Sequence, residues 1–400
     1  MKKLVLILAI LLVMTSVMAK GDGEEGAEAA AAMEAGPYED GIYFAEEPGF
    51  GRTGWKYVVT LEVNNGYIVS ADWNGANIDA GYDKKTVSKN GDYNMVAFGG
   101  AQSEWDVQAE AAEAYLLETQ DPTAITYTDD AGHTDDIAGV SIHVIEFFSL
   151  VEEALEAGPV DLGPYADGHY HAEEAEFGRT GWKYMVDLTV ANGRIVAVNW
   201  NGANINAGTD KKTTAKEGNY NMVAYGGAQS EWDVQAEAAE AYLLETQDPT
   251  AISYTDDEGH TDDIAGVSIH VVEFFSLVEE ALEAGPVDIG PYDNGVYEAE
   301  GEFSDNGWKS TVSITVIGGN IAAVNFDSVN RDGESKAALA AEGKYGMVER
   351  GGAQASWDVQ ARRAADYLLA MGPDAAIDDI AGVSITVDEH FALAAEALGL

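Results

Sequence analysis

Trp55-Lys56-Tyr57-Val58-Val59-Thr60-Leu61-Glu62-Val63-Asn64-Asn65-Gly66-Tyr67-Ile68-Val69-Ser70-Ala71-Asp72-Trp73 is the stretch from which the fold can be read. From Lys56 to Val63 the pattern alternates, with Tyr57, Val59, Leu61 and Val63 on one side of an extended chain. Asn64-Asn65-Gly66 is a hairpin signal, because the favoured tight turn needs a left-handed backbone at its two central residues. Tyr67 to Trp73 returns as the partner strand. Ahead of it, Gly41 to Ala45 reads as a further short strand.

Beyond the hairpin a polar, Gly-rich stretch runs to Gly100 and is given neither helix nor strand. Ser103 offers an N-cap with Asp106 three residues on. Trp105, Ala109, Ala112 and Leu116 then recur at helical spacing, and Asp121-Pro122 closes that helix. A last helix over Phe147 to Leu155 presents Ile145, Phe148, Val151 and Leu155, and stops at Gly158-Pro159. Strands first and helices after predict an α+β unit: an antiparallel hairpin-based sheet with two helices.

The unit recurs. Gly36-Pro37-Tyr38, Gly163-Pro164-Tyr165 and Gly290-Pro291-Tyr292 mark three starts, 127 residues apart. That period exceeds those of solenoids, about 20–50 residues, and each copy is long enough to bury a core of its own. The expected organisation is repeat 1 at 36–162, repeat 2 at 163–289 and repeat 3 at 290–400. Ala101–Val160 and Ala228–Val287 differ only at Thr126/Ser253, Ala131/Glu258 and Ile145/Val272. Repeat 3 has diverged and lacks the acidic insert Thr126 to Thr134. It keeps Asn306-Gly307-Trp308-Lys309, Gly351-Gly352-Ala353-Gln354 and Trp357-Asp358-Val359-Gln360.

Residues 1–19 read as a signal peptide: Met1-Lys2-Lys3, an apolar run Leu4 to Val13 too short to span a bilayer, and small residues to Ala19. Residues 20–35 read as a disordered acidic, Ala-rich leader. The expectation is an exported protein, periplasmic, cell-surface or secreted, with no stable membrane insertion after cleavage. There is no cysteine, so neither a disulfide scaffold nor a lipid-modified cysteine is expected. A formal net charge of -49 opposes binding to nucleic acid and anionic lipid.

All three repeats carry Asp-Asp-Ile-Ala-Gly-Val-Ser unchanged, at Asp135–Ser141, Asp262–Ser268 and Asp378–Ser384. One reading is a tight turn with the serine capping the last helix. The other is an anion site, since a helix N-terminus favours phosphate. Candidate ligand residues are Ser141, Ser268 and Ser384, Gly139, Gly266 and Gly382, and Asp135, Asp262 and Asp378. Trp55, Trp182 and Trp308 either pack in the core or stack on a planar ring, and the glycine pair Gly99-Gly100 either allows close approach or makes a turn. The cluster Asp129, Asp130, His133, Asp135 and Asp136 lacks ordered calcium-ligand spacing and reads as a solvated acidic loop, so no metal site is expected. Ser141 and His143 resemble a nucleophile–base pair, but repeat 3 has Thr386 in place of the histidine, which argues against a hydrolase.

The order of Asp40-Gly41-Ile42-Tyr43, the hairpin, Gly54-Trp55-Lys56, Thr119-Gln120-Asp121-Pro122 and the seven-residue motif resembles the FMN-binding domain family. That family includes exported electron-transfer flavoproteins and subunits of sodium-pumping and Rnf-type redox complexes. Many members close the motif with a threonine that a flavin transferase esterifies to the FMN phosphate. The resemblance places Ser141, Ser268 and Ser384 at that position, with Asp135, Asp262 and Asp378 as the motif acid. This chain departs from the pattern with serine for threonine and with Val140, Val267 and Val383 for alanine. The resemblance implies one FMN per repeat, covalent or non-covalent, a flavin transferase, and a membrane or periplasmic redox partner. It implies an electron-transfer flavoprotein more than an enzyme with its own substrate. The alternative is a flavin-free acidic secreted or cell-surface binding or structural protein on the same fold.

Overall fold

A computed structural model describes residues 36–377 and 380–400. The signal-peptide and leader readings, residues 1–19 and 20–35, lie outside the described residues, as do Asp378 and Asp379. The fold is α+β, with three separate three-stranded antiparallel sheets and helices beside each.

Repeat 1 contributes β1 (Gly41–Glu46), β2 (Trp55–Asn64), β3 (Tyr67–Asn77), α1 (Lys84–Asn90), α2 (Met95–Gly99), α3 (Trp105–Thr119) and α4 (Ile145–Ala157). Repeat 2 gives β4 (Gly168–Glu173), β5 (Trp182–Ala191), β6 (Arg194–Asn204), α5 (Lys211–Lys216), a π-helical turn at Met222–Gly226, α6 (Trp232–Thr246) and α7 (Val272–Ala284). Repeat 3 gives β7 (Gly295–Glu300), β8 (Trp308–Ile317), β9 (Asn320–Asn330), α8 (Lys336–Ala341), α9 (Met347–Gly351), α10 (Trp357–Met371) and α11 (Asp388–Ala397).

The quoted hairpin forms as its pattern requires. Asn65 (φ 52°) and Gly66 (φ 77°) make the left-handed turn, and a bulge follows Glu62. The inner face (Tyr57, Val59, Leu61, Val63, Trp73) packs on Trp105, Ala109, Ala112 and Leu116 of α3 and on Phe147, Phe148 and Val151 of α4. Trp73 is sandwiched between Trp105 and Phe147, with ring centroids 5.2 Å away on each side.

Several expectations are corrected. The polar stretch before Gly100 holds two short helices, α1 with Asp83 as its side-chain N-cap and α2 ended by Gly100 in the left-handed region. Ser103 does not cap α3. Glu104 occupies that position, and its carboxylate instead accepts from Met95 N and Val96 N of α2. α4 buries Phe147, Phe148, Leu150, Val151 and Ala154, while Ile145 and Leu155 lie at the margin of the core.

The outer face of each sheet is covered in part by a neighbouring repeat. Val58, Ala76 and Ala80 of repeat 1 pack on Ala191, Val196 and Ala197 of repeat 2. Met185 and Ala203 of repeat 2 pack in the same way on Ile317, Ala322 and Ala323 of repeat 3. Polar seams run alongside. Thr189 Oγ1 donates to Gly81 O at 2.7 Å, and Gly208 N donates to Thr315 Oγ1 at 2.8 Å. The two junctions use equivalent surfaces, so the repeats stack head to tail.

Candidate functional site

The motif serine sits on a loop held against the start of the long helix. Gln108, buried one turn into α3, turns its amide oxygen outward. That oxygen accepts from Ser141 N at 2.6 Å, Ser141 Oγ at 3.2 Å and Ile142 N at 3.2 Å. The amide nitrogen of Gln108 donates back to Ser103 O at 2.9 Å, which fixes the orientation of the group. Gln235 accepts likewise from Ser268 N, Ser268 Oγ and Ile269 N at 2.6, 3.2 and 3.2 Å, and Gln360 from Ser384 N, Ser384 Oγ and Ile385 N at 2.6, 3.0 and 3.3 Å. All three glutamines are 1% exposed, whereas Ser141 is exposed.

Ser141 is not a helix cap. The N-cap position of α4 is Val144, which offers no side-chain hydrogen bond, and Val271 and Val387 repeat this. Gly139 (φ 83°), Gly266 (φ 80°) and Gly382 (φ 73°) take the left-handed backbone that the turn needs. Asp135 and Asp262 are exposed, and Asp378 lies outside the described residues. It is the second aspartate that braces the loop: Asp136 Oδ2 accepts from Thr126 N at 2.7 Å, and Asp263 Oδ2 from Ser253 N at 2.7 Å. In repeat 3 Arg363 Nη1 donates to Gly382 O at 2.9 Å, so a cation stands beside that motif. Repeats 1 and 2 have Ala111 and Ala238 at the matching helix position.

The tryptophans do not join the serines. Trp55, Tyr57, Tyr93 and Trp105 surround the ammonium of Lys84 at 4.3–5.3 Å from their ring centres. Trp182, Tyr184, Tyr220 and Trp232 enclose Lys211 at 4.4–5.1 Å, and Trp308, Tyr345 and Trp357 face Lys336 at 4.5–5.3 Å. Burial pushes Lys84 and Lys211 down to about 7, against the pull of nearby carboxylates, Glu146 foremost for Lys84 and Glu174 for Lys211. Ring faces favour the charged form as well. Lys84 Nζ also donates to Tyr93 Oη at 2.9 Å. Sequence reasoning missed these lysines because α1, which carries the first of them, was not expected to be a helix.

A flavin can be weighed against this geometry. The ester anchor fits, because each described repeat offers an exposed serine with its hydroxyl held in one orientation. A phosphate bound only by backbone N–H groups does not fit, because Gln108 already takes Ser141 N and Ile142 N. A planar ring cannot stack on the face of Trp55 that Lys84 covers.

No family model matches the chain, and no curated protein matches it. Two solved structures are similar to part of it. A Clostridium thermocellum protein, solved in solution by NMR, is 56% identical over 30% of this chain and 91% of its own, with a TM-score of 0.25. A Clostridium perfringens protein with a crystal structure is 22% identical over 32% of this chain and 99% of its own, also with a TM-score of 0.25. Among the described residues no helix is long and apolar enough to cross a membrane.

Proposed function

We propose that the protein is an exported multi-flavin electron carrier, with FMN joined through its phosphate to Ser141, Ser268 and Ser384. The observation that carries this reading is the exposed serine hydroxyl, anchored in the same way by Gln108, Gln235 and Gln360. When bound, the flavin supplies the redox chemistry. The chain's own residues position it. The left-handed glycine turns the loop outward, the second aspartate braces the loop, and the glutamine orients the hydroxyl proton away from the attacking lone pairs. An amide oxygen is too weak a base to take that proton. A flavin transferase must therefore supply the base and an activated FMN donor, whose leaving group departs as the serine Oγ–phosphorus bond forms. The carrier would pass electrons between a membrane or periplasmic donor and an extracytoplasmic acceptor.

The test is intact mass and flavin absorbance of protein purified from its native host. The expected result is one FMN per serine, each removed by its own Ser→Ala change. A second reading, a flavin-free acidic surface-binding protein, draws on the same contacts: Gln108 satisfies the loop N–H groups and Lys84 fills the aromatic box without any ligand. Protein from a flavin-replete host that carries no flavin would establish that second reading.

A further inference from the structure

Repeat 2 brings together three metal-ligating side chains that its near-copy cannot. Glu258, His260 and His270 each place a ligand atom within 4.8 Å of the others. Glu258 and His260 lie in the insert, and His270 lies just before α7. The convergence has a backbone cause. Gly259 (φ 87°) lies so close to the start of α7 that a Cβ there would run into Val272, and Val271 N donates to Gly259 O at 2.9 Å. His260 and His270 then meet edge to face with ring centres 4.4 Å apart, and His270 Nε2 lies 3.9 Å from Glu258 Oε2.

The outer sphere is already assembled. One oxygen of Asp256 accepts from Glu258 N at 3.0 Å and from His260 N at 3.2 Å. The other holds His260 Nδ1 at 2.6 Å. That bond leaves Nε2 as the free ring nitrogen, the carboxylate–histidine arrangement that orients metal-bound imidazoles. Two nitrogens and a carboxylate suit zinc and its first-row neighbours better than calcium or magnesium, which prefer oxygen alone. Ligand atoms on a tetrahedral zinc lie about 3.3 Å apart. Rotation of the exposed Glu258 and His270 side chains can close the gap from the present spacing. We propose that Glu258, His260 and His270 bind a divalent transition metal of the zinc class, with water completing its coordination.

Repeat 1 is the internal control. His133 and His143 stand in the same edge-to-face pair at 4.4 Å, and Asp129 holds His133 Nδ1 at 2.6 Å. The third ligand is missing, because Ala131 replaces Glu258. Repeat 3 has neither the insert nor the second histidine, with Thr386 in its place. Of the three differences between the near-identical stretches of repeats 1 and 2, one is therefore the presence of a ligand.

The experiment is calorimetric titration of the full mature chain with Zn²⁺ in excess Mg²⁺, which occupies the diffuse acidic surface. One zinc per chain is expected. Glu258→Ala and His270→Ala should each weaken it by more than about tenfold, and Asp256→Asn by about 10–100-fold through loss of the outer-sphere bond. Ala131→Glu should raise the stoichiometry from one to two. These positions are exposed or half-exposed, and circular dichroism of each variant checks that folding is intact. No zinc uptake above the Mg²⁺ background, uptake indifferent to Glu258→Ala and His270→Ala, or no gain on Ala131→Glu would each overturn the proposal.

Discussion

Repeats 1 and 2 are nearly the same protein from Ala101 and Ala228 onward and a different one in their hairpins. Sixty helical and loop positions carry three differences, yet Trp55–Asn77 and Trp182–Asn204 differ at eight of 23. Seven of those eight, at Val58/Met185, Thr60/Asp187, Glu62/Thr189, Asn64/Ala191, Tyr67/Arg194, Ser70/Ala197 and Asp72/Asn199, fall on the outer sheet face by strand register. In repeat 1 Glu62, Asn64 and Ser70 face water. In repeat 2 Thr189, Ala191 and Ala197 are buried beneath repeat 1. Divergence has followed the neighbour and not the core. A small residue under a neighbour allows close packing, whereas a charge or amide there would lose its water.

That contrast can be broken most sharply at Ala197, which is 0% exposed. Ala197→Glu should cost on the order of 3–5 kcal/mol by burying an unpaired carboxylate, whereas Ser70→Glu in repeat 1 should stay within about 0.5 kcal/mol. Chemical denaturation gives both values, and small-angle scattering should show repeat 1 parting from repeat 2 only in the first variant. Equal costs at the two sites would mean that the stack does not persist in solution.

The second prediction concerns a buried network that repeat 2 alone possesses. His169 Nε2 and His171 Nδ1 lie 3.0 and 2.9 Å from one Asp187 oxygen. Ile42, Phe44 and Thr60 take these places in repeat 1. Burial opposes the charge of Asp187, yet the two imidazoles hold its carboxyl below the usual range. Burial likewise lowers His171, and Asp187 more than offsets it, so the imidazole ends raised. A raised histidine stabilises fully below its unfolded value of about 6.5, and that stability is lost as pH rises through the folded value. The depressed aspartate stabilises above its unfolded value of about 3.9, and that contribution is lost as pH falls through the folded one. His171 therefore contributes a decline in stability as pH climbs from about 6 towards 8, set against the opposite rise from Lys84 and Lys211, whose values lowered to about 7 add stability above that pH. The difference in melting temperature between the unaltered protein and Asp187→Asn should shrink over that range. A difference between the two that stays constant across this range would show that the His171–Asp187 pair does not titrate there.

The smallest contrast is expected where the repeats agree. Gln108→Ala, Gln235→Ala and Gln360→Ala each strand the same loop N–H groups and should cost about 1–3 kcal/mol apiece. Repeats 1 and 2 should match closely in denaturant titrations. A large difference between them would show that the stacked neighbour also reaches the motif loop.

Much of this fold was legible because its elements obey simple periods. The turn at Asn65-Gly66, the inward set Tyr57, Val59, Leu61 and Val63, and the α3 stripe from Trp105 to Leu116 all stand where their spacing put them. The outer face was not legible, because alternation reports one buried side and cannot show that a second repeat covers the other. α1 and α2 escaped because Lys84–Asn90 and Met95–Gly99 are only seven and five residues long and carry no apolar stripe. The motif serine was visible through its triplication, and Trp-x-x-Gln was retained beside it. Only the fold could show that the glutamine of the one holds the serine of the other. Of the histidine pair, His133 was read as part of an acidic loop and His143 only as a partner of Ser141, since two histidines ten positions apart carry no familiar spacing.

The head-to-tail junction makes no closed ring. Among the described residues only repeat 2 has both ends of its outer sheet face shaped to receive a neighbour, while the flank at Glu62 and Ser70 and the flank at Thr311 and Ser313 are polar. A gene copying repeat 2 into its own middle would add a module that already fits on both sides. Lineages that share this chain can therefore lengthen it from within by a single unequal exchange, but not from either end without redrawing a surface.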